Sequence, residues 1–409
     1  MSLEGYWNII LIEKEGNIYM QILLNQPKFN NVNIIKNKSI DNRQNNITKN
    51  HYSEINGVYY PTFTAMKAKA VPTKLERFEG CLLGGAIGDA FGAPLEKLTM
   101  QEIKSKFKGN LNYLITEKDG IAEFTDDTQM LLFTIEGLIN AVKKYPETSI
   151  DYYKTILNSY KNWYITQTKD FSSSKNTTGL MRYEELYKRK EPGLTCLESL
   201  GSNKIGTTKN RINNSAGNGG VMRIAPVGLF YCNNAEKSFE VGKNIAALTH
   251  GNPNGFLPAG ALAYLISLLA NGEKLEDAIE KIKRKLDTQA QSELLLYKIK
   301  LAQNLAKSSI SEKEAIETIG SGWTGDEALA IALYSCLKHP EDYKSVIRTS
   351  ANHSGDSDTT AAIAGNIAGI IHGKNNIPQK WIKSINMRTL IEKYSLYINL
   401  ITNPNGIMG

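Results

Sequence analysis

Four glycines recur at every fourth position, Gly80, Gly84, Gly88 and Gly92, and a second row with the same spacing lies far downstream at Ala361, Gly365, Gly369 and Gly373. Residues four apart share one face of a helix, so each row makes a smooth stripe along which another backbone can approach closely. Glycine costs about 1 kcal/mol per helical position against alanine, so two such rows call for a packing reason. Membrane crossing is not that reason. Asp89 and Asn366 interrupt the runs, and neither offers the roughly 20 apolar residues a span needs. The rows predict a helical core whose central helices meet closely, with carboxylates at their ends.

Those carboxylates come in two stretches of the same chemistry. Thr125-Asp126-Asp127-Thr128 opens an apolar helical run, and Ser354-Gly355-Asp356-Ser357-Asp358-Thr359-Thr360 opens another that reads as a helix over 360–372. Asp, Ser and Thr are ordinary helix starters, so each stretch by itself is explained by capping. Two clusters of carboxylates and hydroxyls at helix starts also suit a site for two hard cations if they meet in space. Oxygen-only ligands favour magnesium, manganese or calcium over zinc. Cys81, Cys196, Cys232 and Cys336 lack both the spacing of a zinc site and that of a disulfide framework, and read as thiols in a reducing compartment.

The first 72 residues differ from the rest. Ile-, Leu- and Tyr-rich runs at 8–13 and 18–24 flank Glu15-Gly16-Asn17 and predict a β-hairpin. Eight asparagines over residues 30–50 point to a loop or a segment that orders on contact with a partner. Residues 1–75 hold nine Lys/Arg against five Asp/Glu, a net +4 of the chain's +7. We therefore divide the chain into an extension, 1–72, and a main domain, 73–409. No secretory signal layout is visible at the N-terminus, which predicts a cytoplasmic protein. No Lys/Arg cluster is interleaved with aromatics, so nucleic acid is not an expected partner.

The main domain opens on a capping box, Thr73 with Glu76, and Pro94 should end the first helix. Glu96 follows in a loop. Residues 170–217 show little periodicity and read as loops, closing in Gly217-Asn218-Gly219-Gly220 with Met222-Arg223. Such a turn either packs tightly or presents its N–H groups to a phosphate, with Arg223 adding a fixed positive charge. Helical periodicity continues to the end with little strand alternation, so the class is all-α.

The residues carrying this reading resemble the ADP-ribosylglycohydrolases, of the dinitrogenase reductase-activating glycohydrolase type. The matching stretches run in order: Glu79 to Ala90 with Gly92 and Pro94, then Thr125-Asp126-Asp127-Thr128, Gly217-Asn218-Gly219-Gly220 with Met222-Arg223, Thr249-His250-Gly251, Ser321-Gly322-Trp323, and Gly355-Asp356-Ser357-Asp358-Thr359. The extension looks like that of a subset acting as immunity proteins against bacterial ADP-ribosyltransferase toxins. The resemblance implies an all-helical domain with two magnesium ions, manganese being the alternative. Thr125, Asp126 and Asp127 match ligands on one side and Asp356, Asp358 and Thr359 those on the other. Glu96 and Asp126 are implied as the catalytic carboxylates. Gly217, Asn218, Gly219, Gly220, Arg223, His250 and Trp323 are implied as substrate contacts.

The implied reaction is release of ADP-ribose from a protein side chain, arginine first. Competing readings are a binding protein that recognises ADP-ribose or blocks a toxin without turnover, and a hydrolase of serine-linked or O-acylated ADP-ribose. The metal grip on the ribose would be common to all of the hydrolases.

Overall fold

The computed structural model describes residues 71–144, 152–173, 178–202 and 204–403, together with the backbone of four strands in the first 60 residues. The chain divides into two compact units, Met1–Lys69 and Ala70–Gly409. In the first, β1 (Trp7–Lys14) pairs antiparallel with β2 (Asn17–Leu24), and β3 (Ser53–Ile55) pairs with β4 (Val58–Tyr60). The asparagine-rich stretch, 30–50, lies outside the described residues.

The second unit is all-α. In chain order its helices are α1 (Lys74–Gly92), α2 (Met100–Phe107), α3 (Asp126–Lys144), α4 (Tyr152–Thr168), α5 (Leu194–Gly201), α6 (Ala225–Phe230), α7 (Ala235–Ala246) and α8 (Pro253–Ala270). There follow α9 (Leu275–Asp287), α10 (Glu293–Lys307), α11 (Glu312–Ile319), α12 (Gly325–Lys338), α13 (Tyr343–Ala351), α14 (Ser357–His372), α15 (Gln379–Ser384) and α16 (Arg388–Thr402). Local sequence explains many of the starts. Thr73 with Glu76, Thr99 with Glu102 and Ser311 with Glu314 each close a reciprocal capping box, satisfying two N–H groups that a helix start leaves free. Helix α1 stops at Gly92, just before Pro94.

Helices α1 and α14 form the most intimate pair in the unit. A Cβ on Gly80, Gly84, Gly88 or Gly92 would fall within 3.0 Å of the carbonyl oxygen of Gly369, Gly365, Ala361 or Ser357 respectively. The two stripes are therefore two halves of one backbone-to-backbone seam. Polar groups lock its register: Asn366 Nδ2 donates to Cys81 O at 2.8 Å, and Tyr343 Oη donates to Gly84 O at 2.8 Å. Helix α8 is long and apolar enough to cross a bilayer, but 89% of it is buried inside the unit, packed on α6, α7 and α12. The seam matters for function because it fixes where α14 begins.

Candidate active site

Helices α3 and α14 begin side by side. Thr359 Oγ1 donates to Asp127 Oδ1 at 3.2 Å, joining stretches 232 residues apart in sequence. Asp126, Asp127, Asp356, Asp358 and Thr359 all line one cleft of about 670 Å³, and Glu96 lines it too. Capping is also real here: Asp356 Oδ1 accepts from Thr359 N at 3.3 Å as the N-cap of α14. Its other oxygen accepts from Asn218 Nδ2 at 2.7 Å, so one side chain both caps a helix and faces the glycine turn. Thr125 stands one layer back, its hydroxyl accepting from Asp127 N at 3.4 Å.

A sixth acid organises the group. Asp89, which the sequence presented only as an interruption of the glycine stripe, is fully buried and accepts from Thr125 N at 2.9 Å, Thr128 N at 3.0 Å and Thr128 Oγ1 at 2.6 Å. It caps α3 from another helix, and so carries the position of α1 to Asp126 and Asp127. Burial pushes its pKa up to about 6 against the pull of the Thr128 and Thr125 hydrogen bonds. Replacing Asp89 with Asn keeps the shape but turns one acceptor into a donor aimed at N–H groups. We expect Asp89→Asn to cost about 1–3 kcal/mol of stability and 10- to 100-fold in metal affinity, read by thermal melting and by magnesium titration.

The cluster is electrostatically strained. Asp126, Asp127 and Asp358 are all pushed well above the usual carboxylate range, first by burial and then by neighbouring carboxylates. Asp127 Oδ2 is buried with no hydrogen-bond partner. Among the described residues none of these aspartates forms an ion pair with Lys or Arg. Buried carboxylates facing one another around an orphaned oxygen fit a divalent cation as the missing charge. No three carboxylate, imidazole or thiol groups among the described residues cage an ion by themselves. Magnesium suits such an open set, because it keeps several waters and takes only one or two carboxylates.

At the rim, Glu96 is half-buried and its pKa is raised, first by burial and also by Asp356, with the Lys97 hydrogen bond opposing. Lys97 Nζ lies 3.1 Å from Glu96 and 2.8 Å from Glu191. Lys97 and Glu191 both adopt positive φ, 66° and 51°, a conformation that costs a residue with a Cβ and clusters at functional sites.

The glycine turn forms another wall. Gly217, Asn218 and Gly219 line the cleft, and Gly220 lies behind them against Ala246. Asn218 N donates to Trp323 O at 3.2 Å and Gly325 N to Ala216 O at 2.9 Å, so the turn is bridged to the strip bearing Trp323, which is 42% exposed at the cleft. His250 packs beneath; a methyl on Gly219 would press its ring at 3.0 Å. Burial, assisted by Arg223, pulls the His250 pKa down to about 3, so its ring is neutral and holds Thr249 Oγ1 at 2.9 Å through Nδ1.

Arg223 does not do what the sequence suggested. It is fully buried and is not part of the cleft lining, so it cannot face a bound anion. Its guanidinium lies 4.4 Å from the Tyr160 ring, Nη2 donates to Thr249 Oγ1 at 2.7 Å, and Nη1 meets Cys196 and Met130 sulfurs at 3.3 and 3.4 Å. The local pattern Gly-Gly-Val-Met-Arg could not reveal this, because α3, α4, α5 and the turn after α7 supply the surroundings. Arg223→Met is expected to destabilise the fold by about 3 kcal/mol while leaving the KM of the folded fraction near the parent's, a split read by melting and steady-state kinetics.

A stretch without periodicity completes the site. Residues 188–193 run along the cleft, and Gly193 N donates to Asp126 Oδ2 at 3.1 Å. Its sole sequence signal was the Pro192-Gly193 pair ahead of α5.

An all-α body with carboxylates converging at helix starts beneath a glycine turn defines a hydrolase-like cleft, and the matches narrow the class. The family model for ADP-ribosylglycohydrolase covers residues 70–404. The chain belongs to the ADP-ribosylglycohydrolase family and is a glycohydrolase. Among its relatives, the ADP-ribosylhydrolase ARH3 of Bos taurus is 26% identical over 351 residues, 76% of this chain and 88% of that protein. The ADP-ribosylarginine hydrolase Tri1 of Serratia proteamaculans is 25% identical over 316 residues, 76% and 75% of the respective chains. A solved structure described as an ADP-ribosylglycohydrolase-related protein complex shares the fold, with a TM-score of 0.55 at 20% identity over 80% of this chain and 99% of that one.

Proposed function

We propose that this enzyme hydrolyses the N-glycosidic bond joining ADP-ribose to an arginine side chain of a modified protein, with two magnesium ions, manganese being the alternative metal. The observation that carries the reading is the Thr359–Asp127 hydrogen bond, which sets both acidic stretches around one cleft. Asp126, Asp127, Asp356, Asp358 and Thr359 would hold the ions, with Thr125 supporting them from behind. When bound, the ions would neutralise the carboxylates, grip the ribose hydroxyls and ease deprotonation of water.

The chain's own groups then divide the work. The turn at 217–219 would lie along the diphosphate, with the Gly217 and Asn218 N–H groups holding its shape through Ser215 and Trp323 and Gly219 left to approach the phosphate, and Trp323 offers an exposed ring beside it. Glu96, at the rim with a raised pKa, would hold a proton that a leaving guanidine takes up as positive charge develops on the ribose. Asp126, its Oδ2 fixed by Gly193 N–H, is the second carboxylate of the pair. Arginine is favoured over other linkages by the Glu96 and Glu191 carboxylates at the mouth, which suit a cationic leaving group, and by the named activity of the Tri1 relative. Arginine-linked and serine-linked substrates offered side by side, with and without magnesium, test this; equal turnover of both would refute the arginine assignment.

Cytoplasmic immunity against an ADP-ribosyltransferase toxin is the setting we infer, with residues 1–72 as the partner-binding arm. Support comes from the arm's net +3, eight Lys/Arg against five Asp/Glu, and from residues 1–69 lying outside the family match. Deleting residues 1–70 should spare turnover of a small modified substrate and weaken a toxin complex; unchanged affinity would sink the idea.

The strained carboxylates also set a pH dependence. Because Asp126, Asp127 and Asp358 have raised folded values, the metal-free fold keeps protons that the unfolded chain gives up. Stability present below the unfolded aspartate value of about 3.9 is lost as pH rises through the folded values. Metal-free protein should therefore melt progressively lower from pH 5 to pH 8. Magnesium at about 100 times its Kd should raise the pH 8 melting temperature by about 4 °C or more.

A further inference from the structure

The segment 188–193 is held at four of its six residues, on both sides of Arg189. Gln129 Nε2 donates to Lys188 O at 3.0 Å, Asp126 N to Lys190 O at 3.1 Å, Lys97 reaches Glu191 at 2.8 Å, and Gly193 N reaches Asp126 Oδ2 at 3.1 Å. Gln129 is buried and itself immobilised, its Oε1 accepting from Trp163 Nε1 at 3.2 Å and Gln167 Nε2 at 3.0 Å. Polar pins of this kind make the strap part of the rigid body.

On this strap two cations, Arg189 and Lys190, have no ion pair among the described residues, and of the two Arg189 alone lines the cleft. Lys188 pairs with Glu123 at 3.3 Å and Glu191 with Lys97. Arg189 is exposed and lines the cleft; among the described residues it has neither an ion pair nor a hydrogen-bond acceptor. Two side-chain cations, Lys97 and Arg189, line the cleft among the described residues, against the carboxylates of Glu96, Asp126, Asp127, Glu191, Asp356 and Asp358. Lys97 is held by two of those acids. With the ions engaged by the aspartates and Lys97 by its two glutamates, Arg189 is the lining side-chain cation left to attract a diphosphate. A guanidinium presents a planar fork that matches phosphate oxygens, and an anchored strap reduces the cost of ordering it.

We propose that Arg189 is a specificity-determining residue that binds the diphosphate of the ADP-ribosyl substrate, the place Arg223 cannot fill from its buried position. This rests on reading the cleft as an ADP-ribose site. The experiment compares parent, Arg189→Lys and Arg189→Ala proteins in magnesium. It measures ADP-ribose binding by calorimetry, and kcat and KM on ADP-ribosyl-arginine and on ribosyl-arginine, which lacks the diphosphate. Arg189→Ala should weaken ADP-ribose binding and raise KM for ADP-ribosyl-arginine by about 10- to 100-fold, Arg189→Lys less, with KM for ribosyl-arginine changed by no more than about twofold. Equal losses on both substrates would show that Arg189 merely holds the strap. No loss on either would show that it faces away from the ligand. Each of those results overturns the proposal while the parent's turnover stands. A parent that neither binds ADP-ribose nor cleaves either substrate removes the functional reading itself, and this inference with it.

Discussion

Asp358→Asn should lower kcat by at least about 100-fold, since loss of groups that merely support metal ligands already costs 10- to 100-fold. Asparagine keeps the acceptor that Asp358 Oδ1 offers to Thr359 N at 2.9 Å, so the start of α14 should hold. The same change removes a buried charge whose pKa is pushed up by burial and then by Asp356, Asp127 and Glu96. Metal-free Asp358→Asn protein should therefore melt about 1–3 °C higher than the parent, while its gain on adding magnesium shrinks. Activity and metal-free stability moving in opposite directions would be the signature of carboxylates kept together for a bound cation. Turnover at the parent rate would remove Asp358 from the site.

Gly365→Ala is expected to be among the most damaging single-methyl changes in the molecule. Helix propensity alone predicts a gain of about 1 kcal/mol from alanine. Yet the added Cβ would fall within 3.0 Å of Gly84 O, and of the Gly84 carbonyl carbon as well. Both are backbone atoms of a buried helix, which no rotamer change can move aside. Overpacking typically costs 1–3 kcal/mol, and a rigid seam lies at or beyond the top of that range, so a net loss of about 3 kcal/mol is expected. The melting temperature should fall by about 5 °C or more. Parting α1 from α14 also parts Thr359 from Asp127, and a displacement of about 1 Å can cost 100-fold in rate. Gly365→Ala protein that melts with the parent would show that the seam yields.

Much of this was legible beforehand because it is local. Capping boxes are set by residues three apart, and Thr73 with Glu76 closes as its spacing dictates. A glycine row announces close approach because nothing else repays its cost in a helix. Acidic helix starts announce themselves too, although capping and ligation look alike from sequence, and Asp356 does the first while standing ready for the second. Asp89, Gln129 and Arg189 were not legible. Their roles depend on what other elements bring: the start of α3 for Asp89, the 188–193 strap for Gln129, and for Arg189 the cleft it lines without an ion pair among the described residues.

By itself the sequence determined the helical class, the glycine seam and the residue types of an acidic, oxygen-rich site, because periodicity, capping and side-chain chemistry are properties of short stretches. Tertiary structure alone decided which arginine is buried and which is left at the mouth, and which acid caps a foreign helix. Burial and pairing of a charge are settled by every element that packs around it, and those elements are distant in the chain.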